Sequence, residues 1–140
     1  MFNAEAKEED ISHFFESHQW TIPDDYKQFL QLHNGAWLFT HPEYGGGMNI
    51  FSMSDIILFR TDYEYMFPEY CYPIAMMDCA MILIDTHAQR AGKSYLFWQD
   101  CVNTNERAVD LKMNFETWLE LFIISQGSEF WFWPDHIPPH

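Results

Sequence analysis

Basic side chains are scarce in this sequence, which has seven Lys and Arg residues against 21 Asp and Glu residues and a formal net charge of −14 at pH 7. A surface so negative repels phosphate backbones and anionic lipid headgroups, so nucleic acids and membranes are not expected as partners. The same charge favours solubility and fast encounter with a basic protein. Both interpretations, a generally acidic surface and a surface for a basic partner, remain open at this point.

Cysteine is also scarce, and its spacing indicates no disulfide or metal framework. The three residues, Cys71, Cys79 and Cys101, form no C-x-x-C pair, and their odd number argues against a set of disulfides. Long apolar runs are missing as well, because the longest covers only residues 80–84 and the chain opens on an acidic segment. These features predict a cytoplasmic protein without a signal segment or a membrane span.

Apolar and aromatic residues are abundant, at 48% and 19% of the chain, which excludes a disordered polyanion. A chain of 140 residues is long enough to bury a core and short enough for one domain. We find no internal repeat and no linker-like segment. The sequence therefore predicts a single domain over residues 1–140.

The stretch TIPDDYKQFLQLHNGA, residues 21–36, concentrates charge and a histidine, which raises the choice between a site and a helix. Pro23 suits a first helical position, and the carboxylates of Asp24 and Asp25 suit the exposed N–H groups of a first turn. Apolar residues at i, i+3, i+4 and i+7 give one buried face, and Gly35 suits a left-handed helix end. Every position has a structural role, and the stretch predicts a helix.

The remaining pattern predicts helices near both ends of the chain and mostly antiparallel strands between them. A helix is expected around residues 11–18, and Asn114 is expected to cap a final helix that ends near Gly127. Short helical structure is expected after a cap at residues 54–55 and within residues 62–72. Strands are expected at residues 37–39, 48–53, 73–77, 80–85, 94–98 and 107–110. The order indicates an α+β fold, a sheet of about four to six strands with helices packed on it.

The motif W-x-I-P-x-D-Y-K-x-F-L-x-x-H-N-G, residues 20–35, resembles the N-terminal signature of the SUKH superfamily. That superfamily includes the yeast glucan-synthesis (cell-wall assembly) regulator and many bacterial immunity proteins. Four later segments follow in the order of the family: MNIFSMSDI, YPIAMMDCAMILID, GKSYLFWQD and NFETWLELFI. The resemblance covers about residues 11–123 and leaves an aromatic, proline-rich tail, residues 124–140, outside it. Members commonly have a glycine-rich turn between the middle strands, where this chain has Asp78-Cys79-Ala80.

The resemblance implies a non-enzymatic protein-binding domain without a cofactor. Bacterial members typically neutralise a cognate polymorphic toxin, often a nuclease, by binding it in the producing cell. An immunity protein against a basic toxin is therefore the leading hypothesis, in which carboxylates take the place of nucleic-acid phosphates. The alternative is a regulatory scaffold of the glucan-synthesis regulator type that has no toxin partner. Neither the identity of the partner nor the oligomeric state, monomer or homodimer, follows from the resemblance.

An acidic and aromatic segment has the strongest claim to contact a partner, because tyrosine offers amphipathic contact area and carboxylates complement a basic target. Two further carboxylates outside that segment belong to the same hypothesis. The candidate partner-binding residues are Asp62, Tyr63, Glu64, Tyr65, Glu69, Tyr70, Asp78 and Asp100. The alternative is that the tyrosines pack inward and the acids only solvate a loop.

Catalytic and metal-binding hypotheses have weaker support in the sequence. Asp85-Thr86-His87 follows a predicted strand end and is the most enzyme-like position, but a polar turn explains it more simply. Cys71 lacks a nucleophile signature, and no pair of histidines has the spacing of a helical zinc site. The glycines at residues 45–47 lack the Lys-Ser/Thr of a phosphate loop and indicate a bend. We therefore predict no catalytic, cofactor-binding or metal-binding residues.

Overall fold

The computed structural model of this chain describes residues 1–39, 47–78, 80–101 and 108–125. The helices are α1 Glu8–Ser17, α2 Asp24–Leu32, α3 Met53–Asp62, α4 Thr86–Arg90 and α5 Phe115–Ile124, with a 3₁₀ helix at Glu64–Met66. The strands are β1 Ala36–Leu38, β2 Met48–Ile50, β3 Cys71–Met77, β4 Ala80–Asp85, β5 Leu96–Asp100 and β6 Val109–Asp110. These six strands form one sheet in the order β1-β2-β3-β4-β5-β6, and every neighbouring pair is antiparallel. The predicted α+β class is confirmed.

The sheet carries apolar side chains on both faces, and both faces are covered. Tyr72 and Ile82 point to one face, where they join the main core with buried residues of α1, α2 and α5. Cys71 and Met81 precede them in the two strands and point to the opposite face, because successive strand residues alternate in direction. There they form a smaller cluster with Phe67, against which Phe59 of α3 packs. The segment between α3 and β3 therefore packs on the sheet face opposite the main core.

The stretch at residues 21–36 contains the predicted helix, with two differences at its ends. Pro23 is the N-cap of α2 rather than its first helical residue. Gly35 has the predicted positive φ, +94°, but it lies beyond the helix end, where His33 is already extended. A glycine is needed at this position because a Cβ would stand 2.6 Å from the carbonyl oxygen of Ile50 in β2.

The segment after β2 differs most from the sequence prediction. β2 ends at Ile50, three residues early, and α3 is a ten-residue helix rather than a short turn. The predicted cap at residues 54–55 is wrong, because the N-cap is Ser52, whose Oγ accepts a hydrogen bond from the Asp55 N–H at 3.2 Å. The apolar pattern of α3 is hard to read because its side chains pack against both clusters, with Ile56 in the main core.

Two irregular positions in the β3–β4 hairpin explain unusual features of its sequence. The strand register shifts between Pro73 and Ala75, which places the proline at a bulge, where its missing N–H is tolerated. Met77 pairs with Ala80, which leaves a loop of two residues, and Asp78 takes a left-handed φ of +53° there. Aspartate tolerates that conformation, so the turn forms without the glycine expected from the resemblance.

Most other predicted bounds differ by a few residues. α4 occupies residues 86–90, where a turn is predicted, because the Asp85 Oδ1 caps it by accepting a hydrogen bond from the Ala88 N–H at 3.0 Å. β5 lies two residues later than predicted, and α5 ends at Ile124, before Gly127. The tail beyond residue 125 and most of the predicted glycine bend lie outside the described residues.

Candidate partner-binding site

Four of the eight predicted partner-binding residues lie at the two ends of the β3–β4 hairpin, and the other four, residues 62–65, lie at the end of α3 and in the 3₁₀ helix that follows it. Glu69 and Tyr70 come directly before β3, and Cys71 at its start pairs with Asp85. Asp78 lies in the β3–β4 loop, and Asp100 pairs with Ala80 beside that loop. The seven residues of β3 span about 20 Å between these two pairs. One side chain of a partner therefore could not reach both pairs.

The side chains of the acidic and aromatic segment differ in how far they are exposed to solvent. Its three carboxylates are exposed, and Tyr65 is 70% exposed. Tyr70 is half-buried and its ring stacks on His87 with 3.6 Å between the centroids. Tyr63 is also half-buried and packs against the smaller cluster. Two of the three tyrosines thus pack inward, and only Tyr65 presents most of its surface outward.

A groove of about 680 Å³ opens beside Glu64 and Glu69. Residues 17–20, at the end of α1, line one side of it, and three side chains of α3, among them Arg60, line another. The remaining side consists of Glu64, Phe67, Pro68 and Glu69. We call it the α1–α3 groove. It brings acidic side chains of the predicted segment together with aromatic side chains from a distant part of the sequence.

Trp20 is among the residues that line the α1–α3 groove but is only 8% exposed, because its nitrogen and its ring both have contacts within the protein. Its Nε1–H donates a hydrogen bond to the Glu69 carbonyl oxygen at 2.9 Å. His18 stacks on it with 4.6 Å between ring centroids, and Tyr72 stacks on it at 4.9 Å. Tyr72 is fully buried, and its hydroxyl donates a hydrogen bond to the Thr21 carbonyl oxygen at 3.0 Å. The indole is therefore fixed by the core and covered by two stacked rings, of which only His18 is exposed.

Arg60 is the one lysine or arginine among the residues that line the groove, all of which belong to the described ranges. Its guanidinium carbon lies 4.7 Å from the centroid of the Phe67 ring, and its Nη2 donates a hydrogen bond to the Pro68 carbonyl oxygen at 3.0 Å. Burial lowers the pKa of Arg60, and nearby acidic groups, among them Glu69 and Glu64, oppose that shift. The guanidinium is thus engaged by the protein itself.

The carboxylates of Glu64 and Glu69, unlike the Arg60 guanidinium, have no hydrogen-bonding partner in the described part of the protein. Both side chains are exposed, and within the described residues neither carboxylate forms a hydrogen bond or an ion pair. Glu8, by contrast, pairs with Lys27 at 3.4 Å. The groove lining therefore holds two carboxylates against one guanidinium that already has its contacts. Such a lining attracts positive charge.

The most enzyme-like position of the sequence has structural roles in the fold. Asp85 caps α4, and the Thr86 hydroxyl donates a hydrogen bond to the Tyr70 carbonyl oxygen at 2.6 Å. His87 stacks on Tyr70 and does not line the cavity of about 200 Å³ that Asp85 and Cys71 border. Burial, assisted by the charge of Asp85, raises the pKa of Cys71 to about 12. Its thiol is therefore protonated at neutral pH and is a weak nucleophile.

Two features are absent from the part of the chain that the structure describes. No group of three or more His, Cys, Asp or Glu side chains there could hold a metal ion. No helix within the same ranges is long and apolar enough to cross a membrane.

Sequence reasoning identifies the acidic side of the groove but not its aromatic side. Glu64 and Glu69 stand out by composition, whereas Trp20 is noted only as part of a motif and Arg60 has no predicted role. These side chains meet because α1 and α3, which are distant in sequence, approach the segment before β3. The W-x-I-P pattern after a helix end is a signal that points to Trp20.

The six-stranded antiparallel meander with helices packed on it defines a small single-domain α+β protein. This chain belongs to the SMI1/KNR4 family (SUKH-1), since the model of that family matches residues 5–121. The resemblance seen at residues 20–35 is thereby confirmed.

Two relatives come from Bacillus subtilis (strain 168). The chain is 30% identical over 130 residues to the uncharacterized protein YnaB, an alignment that covers 93% of this chain and 85% of YnaB. It is 31% identical over 132 residues to the uncharacterized protein YobM, which covers 89% of this chain and 69% of YobM. The names of these relatives assign no activity, so the function of this chain has to be argued from its own residues.

Proposed function

We propose that this chain is a non-enzymatic protein-binding domain of the immunity type, which neutralises a basic toxin domain by direct contact. The observation that carries the proposal is the acidic and aromatic surface beside the α1–α3 groove. Within the described residues, the carboxylates of Glu64 and Glu69 form no hydrogen bond and no ion pair, and Tyr65 is 70% exposed. Membership of the SMI1/KNR4 (SUKH-1) family and the net charge of −14 support the same function. Tyrosine beside carboxylates is suited to a basic protein surface.

Electrostatics and burial have different roles in this proposal. The net negative charge accelerates encounter with a positively charged partner, and surface carboxylates occupy the places of phosphates in a nucleic-acid-binding groove of the toxin. Affinity depends on a few buried aromatic contacts rather than on the number of charges. A cytoplasmic location belongs to the same proposal, because the free thiol of Cys71 suits a reducing compartment.

Neutralisation is tested by co-expressing this chain with the toxin domain encoded beside its gene, in a host that the toxin kills. Survival with this chain, and not with an unrelated protein of similar negative charge, supports the proposal. Continued killing in the presence of an excess of folded chain contradicts it. A chain that fails to protect but forms a stable complex with an endogenous cellular protein favours the regulatory-scaffold alternative.

The electrostatic part of the proposal has its own test. The association rate of the chain with its partner is expected to fall steeply as salt concentration rises, because steering between exposed charges is screened within about 10 Å at moderate ionic strength. Stopped-flow measurements over a range of salt concentrations check this. A rate that does not depend on salt would remove electrostatic steering from the mechanism.

A further inference from the structure

We propose that a cleft on the sheet face opposite the main core binds a tyrosine side chain of the protein partner, in a segment where basic residues flank that tyrosine. The lining of the cleft includes Trp37, Asn49, Phe59, Met76 and Asp78, and we call it the Trp37 cleft. It shares no lining residue with the α1–α3 groove. The inference rests on the proposed function and adds to it a contact site and the chemistry of the side chain that is recognised there.

The strand register assembles the cleft from residues that are distant in sequence. Trp37 of β1 pairs with Asn49 of β2, and Asn49 pairs with Met76 of β3. Paired residues of antiparallel strands point to the same face. The residues on either side of Trp37 and of Asn49 are buried in the main core, so this row points away from that core. Phe59 of α3 and Asp78 of the β3–β4 loop also line the cleft.

Asn49 is the feature that points most directly to a ligand. It lines the cleft although the residue is only 8% exposed, and within the described residues its side-chain amide forms no hydrogen bond. Buried polar groups are nearly always hydrogen-bonded, and an unpaired one costs free energy. The amide has an acceptor oxygen and two N–H donors, so a ligand group that both donates and accepts would satisfy it.

Trp37 offers an aromatic surface that the protein does not itself cover. Its side chain is 47% exposed and makes no ring contact within the described residues, whereas Trp20 is 8% exposed and lies between two stacked rings. Phe59 is held in the opposite manner, because it stacks on the buried Phe51 with 4.5 Å between ring centroids. Met76 is half-buried, and a thioether packs well against aromatic rings. The sides of the cleft therefore suit an aromatic ring.

Tyrosine fits this lining better than the alternatives. Its ring is apolar, and its hydroxyl is both a donor and an acceptor, as the amide of Asn49 requires. Phenylalanine would leave that amide unpaired, and lysine or arginine would bring a charge to a neutral buried group. The volume of about 300 Å³ is at the lower end for ligand sites, which agrees with one inserted side chain.

Charge indicates what lies beside the tyrosine in the partner. Asp78 is exposed, and within the described residues its carboxylate forms no hydrogen bond or ion pair. The net charge of the chain is −14. A basic residue next to the inserted tyrosine would complement both, so we infer a tyrosine flanked by lysine or arginine.

The test uses a blocked peptide that carries one tyrosine between two lysines. One comparison peptide replaces the tyrosine with phenylalanine, and another replaces the lysines with glutamates. Each is titrated into the full ¹⁵N-labelled chain, and the assigned side-chain amide signals of Asn49 are followed by NMR. The amide of Asn114 serves as the control signal, because it caps α5 and its Oδ1 already accepts a hydrogen bond from the Thr117 N–H.

We expect saturable shifts of the Asn49 signals with the lysine-flanked tyrosine peptide, and no shift of the Asn114 signals. The phenylalanine peptide should bind about fivefold weaker, because it lacks the hydroxyl that pairs with Asn49. The glutamate-flanked peptide should bind about fivefold weaker or more, because its charge has the same sign as that of Asp78 and of the chain.

Two variants separate the two parts of the contact. Asn49→Leu replaces the amide with an apolar side chain of similar size, and we expect it to abolish the preference for tyrosine over phenylalanine, followed through the indole N–H of Trp37. Asp78→Asn keeps a residue type that tolerates the left-handed φ of +53°. It should reduce the preference for lysine-flanked peptide by about twofold or more, whereas Glu9→Gln, which removes an exposed carboxylate elsewhere, should change it less.

The aromatic wall has its own matched pair of variants. Trp37 and Leu58 are both about half exposed, at 47% and 53%, but only Trp37 lines the cleft. We expect Trp37→Ala to weaken binding of the tyrosine peptide about fivefold or more, and Leu58→Ala to change it less than about twofold. Far-UV circular dichroism confirms that the variants are folded.

Three results would overturn the inference: no saturable shift of the Asn49 signals, equal affinity for the tyrosine and phenylalanine peptides, or a preference for tyrosine that persists in Asn49→Leu. The first two use the unaltered chain, so they decide the question even where a variant does not fold. None of them depends on a toxin. If the cleft fails and co-expression still protects the host, neutralisation occurs through another surface. If the peptide binds as expected and co-expression gives no protection, the cleft stands and the immunity function does not.

Discussion

The Oδ2 atom of Asp25 accepts a hydrogen bond from the backbone N–H of Glu116 at 2.9 Å, and so joins the first turn of α2 to the first turn of α5. Its Oδ1 accepts hydrogen bonds from the Tyr26 N–H at 2.8 Å and from the Tyr95 hydroxyl at 3.3 Å. The Tyr95 oxygen in turn accepts one from the Phe115 N–H at 3.2 Å. One carboxylate thereby satisfies exposed N–H groups at the starts of two helices that are distant in sequence.

Asp25→Ala is expected to lower the free energy of unfolding by about 2 kcal/mol, because it leaves the N–H groups of Tyr26 and Glu116 and the Tyr95 hydroxyl without their acceptor. Asp24→Ala is the matched control, since Asp24 is exposed in the same turn and its carboxylate makes no hydrogen bond within the described residues. We expect the control to lose about 0.5 kcal/mol, from the helix dipole alone. Urea denaturation of both variants checks this. Equal losses would show that the bond to Glu116 adds nothing.

Tyr26 and Tyr72 are both fully buried, but only Tyr72 has a partner for its hydroxyl among the described residues. Tyr26→Phe removes an unpaired buried hydroxyl and is expected to leave stability unchanged or to raise it by up to about 1 kcal/mol. Tyr72→Phe removes the bond to the Thr21 carbonyl oxygen and is expected to cost about 1 to 2 kcal/mol. Thermal and chemical denaturation measure both. The prediction fails if Tyr26→Phe is the more damaging change.

Alkaline pH is expected to destabilise the fold. Burial raises the pKa of Tyr95 to about 12 from its ordinary 10.0 and that of Cys71 to about 12 from 9.0, and it also raises the pKa values of Tyr26 and Tyr72 well above 10.0. Above these ordinary values the unfolded chain loses protons that the folded chain keeps, so the free energy of unfolding falls as pH rises. Each group contributes a slope of up to about 1.4 kcal/mol per pH unit.

Urea denaturation between pH 8 and pH 11 measures that loss, which should begin near pH 9 and steepen above pH 10. Tyr26→Phe is the informative variant, because it removes one of the titrating groups without removing a hydrogen bond of the described residues. Its stability should fall less steeply than that of the unaltered chain. A stability that stays flat or rises over this range would contradict the burial of these groups.

Gly35 and Gly92 both have a positive φ, +94° and +70°, but their surroundings differ. A Cβ on Gly35 would stand 2.6 Å from the Ile50 carbonyl oxygen and 2.7 Å from the Ser52 nitrogen, whereas a Cβ on Gly92 would meet nothing within 4 Å. Gly92→Ala is expected to cost about 1 kcal/mol, from backbone strain alone. Gly35→Ala is expected to cost about 3 kcal/mol or more, because backbone atoms must also move. Similar losses, measured by urea denaturation, would argue against the close approach of Gly35 to β2.

Elements specified by neighbouring residues are predictable from the sequence. α2 follows from its apolar spacing and its acidic first turn, and Asn114 caps α5 as expected, with its Oδ1 accepting a hydrogen bond from the Thr117 N–H at 2.8 Å. α3 is harder to predict because it packs against two clusters and lacks a single apolar face. Its length follows from tertiary contacts that a local pattern does not contain.

Long-range contacts also limit what the sequence reveals about the site. The pattern assigns Asp25 to the first turn of its own helix, and only the fold adds the bond to Glu116. Composition likewise singles out Glu64 and Glu69, but it does not show that they line a groove together with Trp20. Tyr63 and Tyr70 pack inward, against the cluster on the sheet face beneath them, whereas Tyr65 stays exposed. The local sequence does not distinguish these three tyrosines.

Neutralisation by direct binding is tested most directly by titrating the purified chain into the purified toxin domain encoded beside its gene, while the activity of that toxin is measured. If binding blocks the toxin, toxin activity falls to background at about one equivalent of the chain, when both proteins are present well above the dissociation constant. Toxin activity that stays undiminished in a saturating excess of folded chain would contradict it.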